Sequence, residues 1–227
     1  MSTVTEAEAD NDISASRLRI TEIFFSLQGE SRTSGYATVF IRLTGCPLRC
    51  EYCDTTYAFK GGEWFSLDGI LSEVKKYKTK YVTVTGGEPL AQKKCINLLK
   101  KLCDEGYDVS LETSGALDIS TVDKRVSRVM DLKTPASKEE DKNRYENIEL
   151  LTPHDQLKFV ICDRNDYEWA VAKINEYGLL SRCEVLFSTS HQQLKPQTLA
   201  NWILEDQLAV RFQMQLHKYL WNDEPGR

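Results

Sequence analysis

The chain lacks any apolar run long enough to cross a membrane and shows no secretory pattern at its start, so a soluble, cytoplasmic protein is expected. It also lacks an excess of positive charge: 29 Lys and Arg stand against 34 Asp and Glu, for a formal net charge of -5. A nucleic-acid surface would be basic, so a small-molecule partner is expected, with neither nucleic acid nor membrane involved. Seven cysteines is an odd number, which with no secretory signal excludes a disulfide framework and leaves reduced thiols. Histidine is scarce, with three in 227 residues, the first at His154. No internal repeat of fixed residue identity is present.

The scarcity of other ligands gives meaning to residues 45–57, where Cys46, Cys50 and Cys53 form a CxxxCxxC pattern. Three thiolates on one short loop can converge on one metal centre. A closed structural zinc site takes four protein ligands, and the next cysteine is Cys95. An iron-sulfur cube held by these three would keep one iron open to something that is not protein, and an open position implies chemistry. Pro47 fixes φ and has no N–H, which suits an open loop after Cys46.

CxxxCxxC with an aromatic residue before its last cysteine, here Tyr52, resembles the radical S-adenosylmethionine (SAM) superfamily. The resemblance implies a 4Fe-4S cluster on Cys46, Cys50 and Cys53 whose open iron binds the methionine amine and carboxylate. It further implies reductive cleavage of the sulfonium to a 5′-deoxyadenosyl radical, with Tyr52 near the adenine.

Residues 1–16 are small, polar and acidic and are expected to be disordered, with a single radical SAM domain over 17–227. Alternation predicts strands at 18–25 and 37–43, both leading toward the cysteine loop, with Gln28-Gly29-Glu30 between them. Further strands are expected at 81–85, 108–112, 128–132, 156–161, 184–187 and 209–213. Helices are expected at 67–77, 89–105, 121–125, 167–177 and 197–208. Residues 134–147 are polar and break the pattern, the best candidate for an insertion or mobile loop. Strand and helix alternating in this way give an α/β fold, a partial TIM barrel of about six βα units. Ligands in such folds sit after the strands, where Thr85-Gly86-Gly87-Glu88-Pro89 and Glu112-Thr113-Ser114-Gly115 lie. Cys95, Cys103, Cys162 and Cys183 are expected as small buried hydrophobes.

Ser26-Leu27-Gln28-Gly29-Glu30, Phe40-Ile41-Arg42-Leu43-Thr44-Gly45, Cys53-Asp54-Thr55 and Leu216-His217-Lys218-Tyr219 resemble, within that superfamily, the 7-carboxy-7-deazaguanine synthases. The resemblance covers nearly the whole chain from Leu18. It implies a ring-contracting lyase that converts 6-carboxy-5,6,7,8-tetrahydropterin to 7-carboxy-7-deazaguanine with loss of ammonia, toward queuosine. It implies SAM as a regenerated cofactor, Mg²⁺ through Thr55, an electron donor such as flavodoxin or ferredoxin, and a homodimer. Substrate contacts are implied for Leu27, Gln28, Gly29, Glu30, Arg42, Thr85 and His217. Cofactor contacts are implied for Tyr52, Asp54, Gly87, Glu112, Asp131, Lys133 and Ser188. Asp131 and Lys133 stand where relatives carry a Ser-Pro-Lys-like segment, and residues 221–227 extend beyond the tail motif.

On chemistry alone Arg42 is the strongest of these, because a planar guanidinium matches a substrate carboxylate bidentately. A surface ion pair is its alternative use. Gln28 and Glu30 carry the donors and acceptors suited to a pterin edge. Two other classes share features of this sequence. An enzyme that installs a radical in a partner protein shares CxxxCxxC and Gly-Gly-Glu-Pro but gives no use to Gln28, Glu30 or His217. A zinc-binding interaction module would be colourless, where an iron-sulfur protein is brown.

Overall fold

The structure is a computed structural model and describes residues 17–191, 193–222, 224 and 226; the expected disordered segment 1–16 lies outside the described residues. Among the described residues nine strands are formed: β1 (Arg17–Leu27), β2 (Ala37–Leu43), β3 (Glu63–Ser66), β4 (Tyr81–Gly86), β5 (Asp108–Thr113), β6 (Ser127–Asp131), β7 (Gln156–Ile161), β8 (Glu184–Thr189) and β9 (Arg211–Gln213). They make one sheet in the order β3-β1-β2-β4-β5-β6-β7-β8-β9. Every neighbouring pair from β2 to β9 is parallel, whereas β1 runs antiparallel to both β2 and β3. The sheet does not close, so the barrel is partial, as expected.

Four helices cover the outer face: α1 (Leu67–Val74), α2 (Cys95–Asp104), α3 (Arg164–Tyr177) and α4 (Pro196–Glu205). A last short helix, α5, spans Leu216–Trp221. Local chemistry sets the boundaries. Ser66 caps α1 by accepting from the Gly69 N–H, Asp163 caps α3 by accepting from Asp166, and Gly178 ends α3 in the left-handed region.

A parallel sheet buried on both faces has near-continuous apolar strands. Here the strands alternate. Val82, Val84, Val109, Leu111, Leu157, Phe159, Val185 and Phe187 are buried in one core with Leu71, Leu98, Leu102, Ile174 and Leu199 of the helices. Thr83, Thr85, Ser110, Glu112, Lys158 and Ser188 stand at the intervening positions and face inward, away from the four outer helices. Burying one face only therefore leaves a polar inner wall.

Several expectations need correction. β1 does not lead toward the cysteine loop: Ile20 pairs with Leu43 and Leu27 with Ala37, so β1 starts beside the loop and runs away from it. Residues 121–125 form turns rather than a helix, because the Asp123 carboxylate takes the Arg125 N–H and offers the backbone a local alternative. The helix expected over 89–105 breaks after a single turn at Pro89–Ala91. Gln92 is extended there, and its amide pairs with the Arg19 N–H, the Arg19 carbonyl and the Thr44 carbonyl. Residues 134–147 are tied into the fold: Thr134, Ser137 and Asn147 are fully buried, and the Asn143 side chain bonds both the N–H and the carbonyl of Lys133. Cys95, Cys162 and Cys183 are buried as expected, and Cys103 is half-buried against the core.

One buried ion pair braces the base of the parallel strands. Asp155 is 1% exposed and accepts from the N–H, Nε and Nη2 of Arg128 and from the N–H and hydroxyl of Thr152.

Candidate active site

The inner wall bounds a cavity of about 880 Å³. β4, β5, β6, β7 and β8 contribute Thr85, Glu112, Asp131, Lys158 and Ser188, all on rigid strands. The cysteine loop that follows β2 forms the rim, and the tail around α5 lines the remaining side.

The floor follows from the direction of β1. Leaving β1 at the far end, Gln28 turns inward and is 1% exposed. Its amide donates to the Thr83 hydroxyl at 3.0 Å and the Glu112 carboxylate at 3.3 Å, while its carbonyl accepts from the Glu30 N–H at 2.8 Å. Glu112 also accepts from the Thr85 hydroxyl at 2.9 Å. Glu30 lies 3.1 Å from the Lys158 ammonium and 3.7 Å from His217 Nδ1, and it accepts from the Gln215 amide at 3.1 Å. Burial works to raise the Glu30 pKa, but Lys158 and His217 outweigh it and bring the carboxyl down to about 2. Glu30 is thus ionised across the whole working range. The tail approaches so closely that a Cβ on Gly29 would meet His217 Nδ1 and the Leu216 nitrogen at 3.2 Å each.

The cysteine loop is held by its backbone. Arg49 donates to the carbonyls of Cys46 and Leu48 and stacks on Phe59, the Gly45 N–H donates to Ala58, and the Glu51 N–H donates to Ser137. Cys46, Cys50 and Cys53 are all half-buried on the cavity rim. Burial raises each thiol, Cys50 to about 11, so deprotonation calls for a bound metal. Among the described residues no three His, Cys, Asp or Glu groups are gathered for a single ion. Three thiolates on one zinc would lie roughly 3.8 Å apart for bonds of about 2.3 Å. Three half-buried thiols on one rim are one ligand short of a closed zinc site, and as a donor set they fit an iron-sulfur cluster held by three cysteines.

Gly86-Gly87-Glu88-Pro89 serves this loop directly. The Gly87 N–H donates to the Leu43 carbonyl and the Glu88 N–H to the Gly45 carbonyl. A Cβ on Gly87 would lie 2.3 Å from the Gly45 oxygen and 2.7 Å from Cys46 Cβ. Neither atom can rotate aside, so Gly87→Ala is expected to dislodge the loop and lower reconstituted iron per chain severalfold, read by iron assay on folded protein. Glu88 is fully buried and ties the segment to the end of β5, accepting from the Thr113 and Ser114 hydroxyls and the Ser114 N–H.

At the ends of β6 and β8 the cavity wall holds groups that the protein leaves unsatisfied. The Lys133 ammonium is 2.8 Å from Asp131 Oδ2 and 5.8 Å from the Tyr52 ring. Burial opposes the Lys133 charge, yet Asp131, with smaller contributions from its neighbours Tyr52 and Cys50, raises the pKa on balance. Asp131 Oδ1 and the Tyr52 hydroxyl are buried with no hydrogen-bond partner. An orphaned acceptor beside a buried cation fits a ligand that brings its own hydroxyl or ammonium donors. Ser188 completes this wall, 2% exposed.

Arg42 and Thr55 stand between floor and rim. Arg42 donates from Nε to Glu22 at 2.6 Å, so the alternative of an ion pair is realised at one edge of the guanidinium. Neither Nη atom has a hydrogen-bond partner among the described residues, and that edge remains for a ligand. The Thr55 hydroxyl donates to Asp54 at 2.9 Å, which leaves its oxygen lone pairs for a cation. Asp54 in turn lies 3.4 Å from the Lys218 ammonium of α5.

Every residue expected at the site lines this one cavity, Leu27 included. Glu112, expected beside the cofactor, hydrogen-bonds Gln28 and Thr85, two residues expected to contact the substrate. Sequence reasoning missed Lys158, Glu22 and Tyr57. A lysine at an inward position of an otherwise apolar strand was the available signal for Lys158, whereas nothing local marked Glu22.

A profile of the Radical SAM superfamily matches residues 40–180. The chain is 45% identical over 222 residues to the 7-carboxy-7-deazaguanine synthase of Koribacter versatilis, covering 91% of this chain and 98% of that one. It is 42% identical over 210 residues to the enzyme of the same name from Chlorobaculum tepidum, covering 91% and 96%. The crystal structure of QueE from Escherichia coli has the same fold, with a TM-score of 0.73 at 20% identity, covering 88% of this chain and 94% of that one. With the cysteine loop, the polar cavity and these relatives in agreement, the chain belongs to the 7-carboxy-7-deazaguanine synthase family of the radical SAM superfamily.

Proposed function

We propose that this chain converts 6-carboxy-5,6,7,8-tetrahydropterin to 7-carboxy-7-deazaguanine with loss of ammonia, in queuosine and 7-deazapurine biosynthesis. The observation that carries the reading is that one polar cavity joins a three-thiol rim to a floor of hydrogen-bond donors and acceptors that suits a pterin edge. Cys46, Cys50 and Cys53 would hold a 4Fe-4S cluster, and Gly87, Tyr52, Asp131, Lys133 and Ser188 would hold SAM, with Asp54 beside them. When bound, cluster and SAM supply the primary carbon radical that opens the reaction.

The residues of the chain bind and orient. Gln28 and the ionised Glu30 form the floor against which a ring of alternating amide-like nitrogens and carbonyl can pair. Thr85 and Glu112 extend that polar edge, and Leu27, Gly29 and His217 shape its border. Arg42 offers its free edge to the carboxylate, and the Thr55 oxygen would help hold Mg²⁺, a hard cation that would polarise substrate oxygens. The α5 tail, pinned to Glu30 and Asp54, limits water on the open side of the barrel.

In the same reading residues 17–227 form a single radical SAM domain that works in the cytoplasm as a homodimer, reduced by flavodoxin or ferredoxin. No described helix is long and apolar enough to cross a membrane. The test is anaerobic cluster reconstitution, then incubation with SAM, Mg²⁺, a reductant and the carboxytetrahydropterin, with mass analysis of products. A product of the mass of 7-carboxy-7-deazaguanine is expected. Cofactor cleavage with the pterin recovered intact would overturn the substrate assignment.

A further inference from the structure

The placement of Arg42 depends on an irregularity in the strand beside it. β1 and β2 pair residue for residue from Glu22↔Arg42 to Leu27↔Ala37, but on the other side of Glu22 it is Ile20 that faces Leu43. Thr21 is therefore an extra residue, a β-bulge, held by its hydroxyl 2.8 Å from that of Thr44. In a regular strand Thr21 would oppose Arg42, and Glu22 would oppose Ile41 on the apolar outer face. A shift of one residue moves a side chain across the sheet. The bulge thus delivers a carboxylate to the inner face, directly across from Arg42.

There Glu22 engages one edge of the guanidinium, with Arg42 Nε at 2.6 Å. The Tyr57 hydroxyl donates to the same Glu22 oxygen at 2.8 Å and fixes it. The rings of Phe24 and Tyr57 lie 5.6 and 5.8 Å from the guanidinium carbon. With these rings beside it and the Nε edge taken, the edge formed by Nη1 and Nη2 is what remains for hydrogen bonding. That edge matches a carboxylate bidentately.

We propose that Glu22, aimed by the Thr21 bulge and braced by Tyr57, is a positioning residue that presents Arg42 to the substrate carboxylate and so sets the preference for a carboxylated pterin. The assignment rests on the functional reading above. It also explains why a carboxylate is committed to an arginine meant for a ligand. Glu112 lies close enough for its charge to act on Arg42 from inside the cavity. Without Glu22 the guanidinium would be drawn to Glu112, which already accepts from Gln28 and Thr85.

Glu22 must also repel an incoming carboxylate, and the two effects predict opposite signs. If positioning dominates, Glu22→Ala weakens binding and Glu22→Gln, whose carbonyl still accepts from Arg42 and Tyr57, restores it. If repulsion dominates, both variants bind more tightly.

The experiment uses the full-length reconstituted protein, anaerobic and without reductant, and measures Kd for 6-carboxy-5,6,7,8-tetrahydropterin and for tetrahydropterin lacking the carboxylate. Glu22→Ala is expected to weaken the carboxylated ligand about tenfold, the range of one charge-assisted contact, and to leave the other within roughly twofold. Glu22→Gln should stay within roughly threefold of wild type for both. In an Arg42→Ala background, Glu22→Ala should cost nothing more. Tighter or unchanged binding in Glu22→Ala, equal loss for both pterins, or a full second loss in the Arg42→Ala background would overturn the assignment. Should Glu22→Ala fail to fold, Tyr57→Phe deletes only the brace and should give a smaller loss confined to the carboxylated pterin; an unchanged Kd there would equally overturn it. Wild-type protein that binds neither pterin and forms no 7-carboxy-7-deazaguanine would sink the functional reading and this assignment with it. Wild type that turns over while the variants miss these outcomes would sink the assignment alone.

Discussion

Cys50→Ala protein is expected to fold and to carry essentially no iron after anaerobic reconstitution, against about four irons per chain in the wild type. Cys46→Ala and Cys53→Ala should behave alike. The loop does not depend on its thiols for shape, since Arg49 holds the Cys46 and Leu48 carbonyls and the backbone bonds of Gly45 and Glu51 anchor its start and its middle. Losing one sulfur therefore removes a ligand and leaves the scaffold. A cube held by two thiolates would expose a second iron to water and be lost in handling. Cys95→Ala is the contrast: Cys95 lies fully buried in α2 and does not line the cavity, and its loss should spare both iron content and brown colour. Iron and sulfide assays with the visible spectrum decide the matter, and full loading of Cys50→Ala would count against the three-cysteine assignment.

Asp155→Asn should lower the unfolding free energy by about 3–5 kcal/mol, the cost of breaking a buried ion pair from one side. The Asn carbonyl could still accept from Arg128, but the 9% exposed guanidinium would lose its counter-charge and the new amide nitrogen would face the donors of Arg128 Nη2 and Thr152. The sign of the pH effect follows from the Asp155 carboxyl, for which burial acts upward but Arg128 and the Thr152 donors act downward and win, giving a depressed pKa. A depressed acid contributes stability that is present above its unfolded pKa of about 3.9 and is lost as pH falls through the lower folded value. Wild-type stability should therefore fall more steeply below about pH 4 than that of Asp155→Asn. Urea unfolding of both proteins at neutral and acid pH provides the measurement. Parallel pH profiles would mean that Asp155 titrates alike in the two states.

What could be read from the sequence was whatever is carried by neighbours along the chain. Val-Thr-Val-Thr at 82–85 announces a strand with one apolar face, and the cysteine loop announces itself because its ligands lie within eight residues of one another. The turns at 121–125 hid behind apolar spacing, since the side chain of Asp123 decides there and not periodicity. β3 has four mostly exposed residues and owes its existence to pairing with β1. The floor of the site was the least legible part. Gln213 meets the Gly29 carbonyl across 184 residues of chain, and Lys158 meets Glu30 across 128, pairings that no local pattern encodes. The direction of β1 belongs to the same class, because an alternating strand reads identically in either orientation.

The two-sided strands also divide the labour of mutation. Val82, Val84, Val109 and Leu111 look outward into the core, while Thr85 and Glu112 look inward at whatever fills the cavity and Thr83 and Ser110 carry the floor beneath Gln28. Neighbouring codons therefore answer to separate selective pressures, one for thermal endurance and the other for ligand choice. A library that randomises only the inward positions would search substrate preference while the helix-facing half of each strand keeps the fold, and a lineage could exchange one reaction for another by the same route.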